Sequence, residues 1–308
     1  MPPVCAIDPA WLTELELRIA QGRVASPCEG VSILGYGEIS AVLSSQERPQ
    51  VVLKRMAGFR SEQEATSYAQ EVRKYIAFLT ERNVHVLETE VFPIQTNGRI
   101  VVYLVQPRLE KESIGNHLLL HANDDVWAKF LSQVLSGVVA ALSSNTPELS
   151  LGLDAQISNW AWVQEQNSNP EARATYLDVG TPLFREHGRL AIAPALSLRS
   201  LPRPFAFLLR HTLFEKVVGR YFLPREAAKD IAGNFIKEGR PERIAAFLEQ
   251  AAPFLSEHAK NTAPLTETEI HSYYREDKMI WRLFQGLRRF DRFVTAQVLQ
   301  NPYDFILP

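Results

Sequence analysis

Val31-Ser32-Ile33-Leu34-Gly35-Tyr36-Gly37-Glu38-Ile39-Ser40-Ala41-Val42-Leu43, followed after a polar turn by Val51-Val52-Leu53-Lys54-Arg55, is the stretch on which the reading of this chain turns. Its aliphatic runs, 31–34, 39–43 and 51–55, are separated by a glycine turn and by the polar segment 44–50, which predicts three antiparallel strands. Working outward, apolar residues at Tyr68, Val72, Tyr75, Ile76 and Leu79 recur at helical spacing and predict a helix over 61–82. Two further strands are expected at 86–93 and 99–105, joined by a hairpin turn at Thr96-Asn97-Gly98.

Beyond Gln106-Pro107-Arg108 the pattern becomes mainly helical. A short helix is expected at 114–121 and a broad-faced apolar one at 124–142. A strand pair is expected at 159–164 and 174–179, with a polar hairpin at 165–173 between them. Helices follow at 205–222, 225–237 and 241–257, then a long one opening at the capping box Thr266-Glu267-Thr268-Glu269. Residues 1–30 read as an extension holding one helix, capped at Asp8 with Pro9 in its first turn and followed by a link at 22–30. The expected division is therefore 1–30, 31–106 and 107–308.

Composition bounds the function. The chain has 308 residues, 33 Lys+Arg against 35 Asp+Glu, a net charge of -2 and 46% hydrophobic residues. That is a folding composition without a global field for nucleic acid, so an anionic partner has to meet a local patch. Cys5 and Cys28 are too few for a disulfide framework or a thiolate zinc site, and the histidines lack metal-ligand spacing. The first apolar stretch is broken by Asp8 and Glu14, and the uncharged window 130–147 is rich in Ser and Asn. The expectation is no leader, no transmembrane segment and a cytoplasmic location.

Four constellations could carry chemistry. Gly35 and Gly37 flank a turn where backbone N–H groups can approach phosphate, although such a turn is also an ordinary hairpin. Lys54 ends a hydrophobic strand run and must snorkel outward or find an anion; Glu71 borders the packed face of the next helix within reach of it, with Glu64 as the rival partner. Asp154 and Asn159 stand five apart on a loop, as a proton acceptor for a hydroxyl and a metal ligand, or simply as turn formers. Asp178-Val179-Gly180 places a carboxylate at a strand end before a glycine hinge.

Taken in order, the glycine hairpin, strand lysine, helix glutamate, hinge, buried helix, Asp-x4-Asn loop, strand pair and Asp-Val-Gly follow the layout of a phosphoryl-transfer fold. Over residues 31–181 the chain resembles the protein-kinase-like superfamily, and its helical tail looks more like the aminoglycoside and choline phosphotransferase branch. The resemblance implies an α+β bilobal fold, with a small antiparallel-sheet N-lobe carrying one helix and a larger, mainly helical C-lobe. It implies an ATP- and Mg²⁺-dependent phosphotransferase acting on a hydroxyl of a small molecule. Gly35 and Gly37 would cover the phosphates, Lys54 would contact them while paired with Glu71, and Gln106 would mark the hinge at the adenine. Asp154 would be the catalytic acid, with Asn159 and Asp178 as magnesium ligands.

The family's loop histidine is replaced by Gly152, which opens the alternative of a weak or inactive nucleotide-binding regulator. A helical interaction module without nucleotide is the third reading. Arg189, Arg199, Arg203 and Arg210, in a segment without Asp or Glu, point to an anionic acceptor or surface, or to a solvated loop. Arg275, Lys278, Arg282, Arg289 and Arg292 on the last helix raise the same question.

Overall fold

The computed structural model describes residues 7–21, 28–37, 39–164, 171–192, 196, 198–202, 205–207, 214–258, 263–300 and 305–306. Strands β1 (Val31–Tyr36), β2 (Ser40–Ser45), β3 (Arg48–Met56), β4 (Glu90–Thr96) and β5 (Arg99–Pro107) form one antiparallel sheet in the order β1-β2-β3-β5-β4. Asn97 and Gly98 both take positive φ, 41° and 80°, the backbone of the tight hairpin expected there. A register shift between Ile33 and Gly35 bends β1 as it approaches the glycine turn.

Helix α1 (Pro9–Gln21) starts where the Ala10 N–H donates to Asp8 Oδ1. Helix α2 (Glu62–Glu81) starts where the Glu64 N–H donates to the Ser61 hydroxyl and buries Tyr68, Val72, Tyr75 and Leu79. Alternation along β3 sends Lys54 and Arg55 to opposite faces. Lys54 looks toward α2 and the helical region, whereas Arg55 looks toward α1. There Arg55 Nε and Nη2 donate to the two carboxylate oxygens of Glu16 at 2.8 and 2.6 Å, and the Tyr103 hydroxyl donates to Glu16 Oε2 at 2.6 Å. Glu16, Arg55 and Tyr103 are all buried, as are Leu12 and Leu15 of the same helix. The N-terminal helix is thus packed into the sheet rather than appended to it.

The rest is mainly helical: α3 (Gly115–His121), α4 (Asp124–Leu142), α5 (Phe214–Gly219), α6 (Pro224–Lys237), α7 (Ile244–His258) and α8 (Glu267–Arg292). The expected capping box of α8 is formed by Thr266 and Glu269. Helix α4 is the one described helix long and apolar enough to cross a membrane, and its apolar side, including Phe130, Val134 and Val138, is packed inside the protein. Strands β7 (Trp160–Gln164) and β8 (Ala172–Tyr176) form the expected hairpin, whose tip at 165–170 lies outside the described residues. The architecture is α+β, with an antiparallel five-stranded sheet.

Three local expectations differ. Residues 86–89 do not extend β4: Val86 makes an isolated bridge to Tyr176, and the flanking His85 carbonyl and Leu87 N–H bond the Tyr176 backbone, tying the sheet region to β8. A three-stranded sheet of β6 (Leu149–Leu151), β9 (Phe184–Glu186) and β10 (Arg189–Leu190) was not expected, because strands of two or three residues carry too little alternation to read. Of the helix expected over 205–222, residues 205–207 and α5 (Phe214–Gly219) are helical, and its end differs in closing as a 3₁₀ turn over Arg220–Phe222; residues 203–204 and 208–213 lie outside the described set.

Removing one partner of a buried ion pair leaves an uncompensated charge. Glu16→Ala is therefore expected to lower the unfolding free energy by about 3–5 kcal/mol in chemical denaturation, and an effect of a few tenths would contradict the packing of α1 described here.

Candidate functional site

Lys54 and Asp178 meet although they are far apart in sequence. Lys54 Nζ donates to Asp178 Oδ1 at 2.6 Å, with side-chain exposures of 19% and 27%, low enough for the pair to be shielded from bulk water on most sides. The geometry is prepared around it. Asp178 Oδ1 also accepts from the Gly180 N–H at 3.1 Å, and the Gly180 carbonyl accepts from the buried Tyr68 hydroxyl of α2 at 2.6 Å. A Cβ on Gly180 would stand 2.9 Å from Lys54 Nζ, so glycine is what lets the lysine stem lie along this backbone.

Gln106 sits on β5 opposite Val52. Its Nε2 donates to the Thr89 hydroxyl at 2.9 Å and to the Leu177 carbonyl at 2.8 Å, so it braces the residue preceding Asp178. The Leu177 N–H in turn donates to the Asn159 carbonyl at 2.8 Å, and Asn159 Nδ2 donates to the Asp154 carbonyl at 3.2 Å. Lys54, Gln106, Asp154, Asn159 and Asp178 thus belong to one connected group at the junction of the sheet and the helical region.

Glu71 does not join Lys54. Its carboxylate lies 3.8 Å from Lys74 Nζ, one helical turn along, while Glu64 is held by Arg199 Nη1 and Nη2 at 2.8 and 2.6 Å. Helical spacing put both acids on the correct side of α2; it could not show that Asp178 would take the lysine. Arg199 also donates to the Gly58 carbonyl, so this arginine is committed within the fold rather than presented to an anion. Arg189 is exposed, and Arg203 and Arg210 lie outside the described residues.

At the glycine turn, Gly35 has open space where a Cβ would stand. Gly37 is different. Its N–H donates to the Ser40 carbonyl at 2.9 Å and its carbonyl accepts from Arg288 Nη1 of α8 at 3.0 Å, so both backbone groups are already engaged. Gly152, where the resemblance calls for histidine, has Phe222 ring atoms at 3.0–3.2 Å from a would-be Cβ, and its carbonyl accepts from the Tyr75 hydroxyl at 2.8 Å. The space a histidine ring would need is filled, and α2 holds the loop instead.

One acid was missed from the sequence. Asp230 of α6 is 6% exposed and lies close enough to Asp154 for the two carboxyls to act on each other, while the Tyr273 hydroxyl of α8 donates to Asp230 Oδ1 at 3.1 Å. Burial, then the charge of Asp154, pushes the Asp230 carboxyl well above the ordinary range. Its Oδ2 is buried without a hydrogen-bond partner. Asp154 is itself pushed up to about 6, by burial first and by the Asp178 charge second. The signal was an aspartate amid the small and apolar residues of Ala227-Ala228-Lys229-Asp230-Ile231-Ala232.

The folded chain holds the Asp154 proton more tightly than the unfolded chain does. The stabilisation linked to that proton is complete below the unfolded value of 3.8 and lost as pH rises through about 6. Asp154→Asn is expected to flatten the stability profile across that window and to exceed the native chain above it by up to about 3 kcal/mol. Parallel denaturation curves at each pH would refute the burial of this acid.

A family model described as a family of unknown function (DUF6206) matches residues 14–292. No curated protein matches the chain.

Proposed function

We propose that this chain, which belongs to the family of unknown function DUF6206, binds ATP with Mg²⁺ at the Lys54–Asp178 junction and transfers a phosphoryl group to a hydroxyl of a small molecule. The fold in this reading is protein-kinase-like and bilobal. The observation that carries it is the 2.6 Å contact between Lys54 and Asp178 across 124 residues of sequence, with the Asp154–Asn159 loop bonded to the adjoining Leu177. A hydrophobic core has no need of a cation, three acids and an amide gathered at one junction.

The donor set suits magnesium. Asp178 and Asn159 offer hard oxygen ligands, and the Asn159 amide is oriented through Nδ2, which leaves its oxygen as the ligating end. When bound, the ion supplies charge neutralisation on the nucleotide phosphates. The chain's own groups do the rest. Lys54 neutralises phosphate charge from the sheet side, and the open backbone at Gly35 admits close approach. Asp154, poised near 6 by burial and by Asp178, accepts a hydrogen bond from the acceptor hydroxyl and orients it. Gln106 positions Asp178 through the Leu177 carbonyl.

Two departures favour a second reading, a nucleotide-binding regulator: the engaged backbone of Gly37 and the filled space at Gly152. Both readings require the nucleotide. Mg²⁺-ATP at 100 times its dissociation constant is expected to stabilise the native chain by about 2.7 kcal/mol; absence of a shift at millimolar nucleotide sinks both. Gly180→Ala, whose added methyl displaces only the flexible end of Lys54, is expected to keep the melting temperature in buffer within a few degrees while weakening nucleotide binding at least tenfold. If the chain binds, phosphate transfer lost in Asp154→Ala identifies the enzyme, and no transfer by the native chain across a panel of small alcohols identifies the regulator.

A further inference from the structure

Helix α8 carries a second surface, on the side turned away from the protein. Its inner side holds Ile270 and Arg288, both fully buried, with Tyr273 bonded to Asp230 of α6. At about 100° per residue, Met279, Leu283, Gly286 and Phe290 fall within about 60° of arc on the opposite side, in the repeat i, i+4, i+7, i+11. Met279 is 65% exposed, Leu283 61% and Phe290 55%, and Phe293, next in the repeat, is 57% exposed. An isolated exposed leucine would need no account, but a continuous stripe over four turns does.

The edge of the stripe is cationic. Arg275, Lys278, Arg282 and Arg289 are exposed and occupy the adjoining 60° or so of arc. Among the described residues none of the four is in an ion pair; Lys278 lies over the Tyr274 ring. The acids of this half of the helix lie elsewhere: Glu276 on the far flank, Asp277 3.7 Å from Arg220, and Asp291 half-buried. The chain as a whole is slightly negative, so this concentration of positive charge is local.

We infer that the outer face of α8, continued by Phe293 just past its end, docks onto an anionic lipid bilayer surface, lying in the plane of the interface with Met279, Leu283, Phe290 and Phe293 inserted and the four cations at the headgroups. An amphipathic helix with a basic flank and aromatic and aliphatic residues on the adjoining face binds in this way, through buried apolar area added to attraction for acidic lipids. A bilayer fits better than the other occupants. The stripe lies on the convex outside of one helix, which a plane can cover without a groove. A second copy packed antiparallel on the same stripe would set the cationic edge against itself. Docking through α8 would also be felt at the glycine turn after β1, because Arg288 on its inner side holds the Gly37 carbonyl. The inference does not depend on the proposed phosphotransfer.

The test is flotation of the full chain with vesicles of phosphatidylcholine containing 30% phosphatidylglycerol, against phosphatidylcholine alone. Binding is expected only to the acidic vesicles, at least tenfold above the neutral ones, and to fall as salt rises. Leu283→Glu with Phe290→Glu, and separately Arg282→Glu with Arg289→Glu, are each expected to reduce it at least tenfold with the melting temperature within a few degrees of native. No binding by the native chain, or equal binding by either folded variant, overturns the proposal. A concentration-dependent dimer in analytical ultracentrifugation that Leu283→Glu with Phe290→Glu abolishes would overturn it in favour of a second copy.

Discussion

The ion pair between Lys54 and Asp178 is the constraint on which the rest of this molecule depends. A lysine on the inner face of a sheet is unfavourable unless an anion meets it, and the anion here arrives two residues past the end of β8, more than a hundred residues later. Meeting at 2.6 Å ties the segment after β8 to the inner face of the sheet. The neighbouring contacts hold the two partners in place: Tyr68 on the Gly180 carbonyl, Gln106 on the Leu177 carbonyl, and the Asn159 carbonyl on the Leu177 N–H. Because each reaches a backbone group, the position of Asp178 is set by the fold and not by its own charge alone.

The adjacent residue on β3 does the same on the other face. Arg55, Glu16 and Tyr103 form a buried, mutually satisfied group, so the sheet is pinned on both sides by polar contacts with strict geometry. Such groups add less net stability than an apolar core of equal volume, but they penalise misplacement heavily. A site that has to position charged groups to within a fraction of an ångström gains from that penalty.

Local chemistry made much of this readable in advance. Strand alternation, the Asn97-Gly98 turn, the Ser61 and Thr266 caps and the apolar face of α4 are signals within a few residues, and the elements stand where those signals put them. The gathering of Lys54, Asp154, Asn159 and Asp178 was accessible only through the order of motifs along the chain. What sequence could not supply was the choice among competing partners. Glu64, Glu71 and Asp178 were all able to meet a cation, and three-dimensional placement gave Glu64 to Arg199 and Asp178 to Lys54. Asp230 escaped for a related reason: its carboxyl is pushed up by burial that only the packed α6 and α8 create.

A double-mutant cycle between Lys54 and Asp178 tests the central claim most directly. Unfolding free energies of the native chain, Lys54→Met, Asp178→Asn and the double variant give the coupling between the two side chains without reference to any ligand. A coupling of about 1–3 kcal/mol is the expected result for a shielded pair in contact. Additivity within about 0.3 kcal/mol would mean that the two charges do not meet, and the junction described here would not exist.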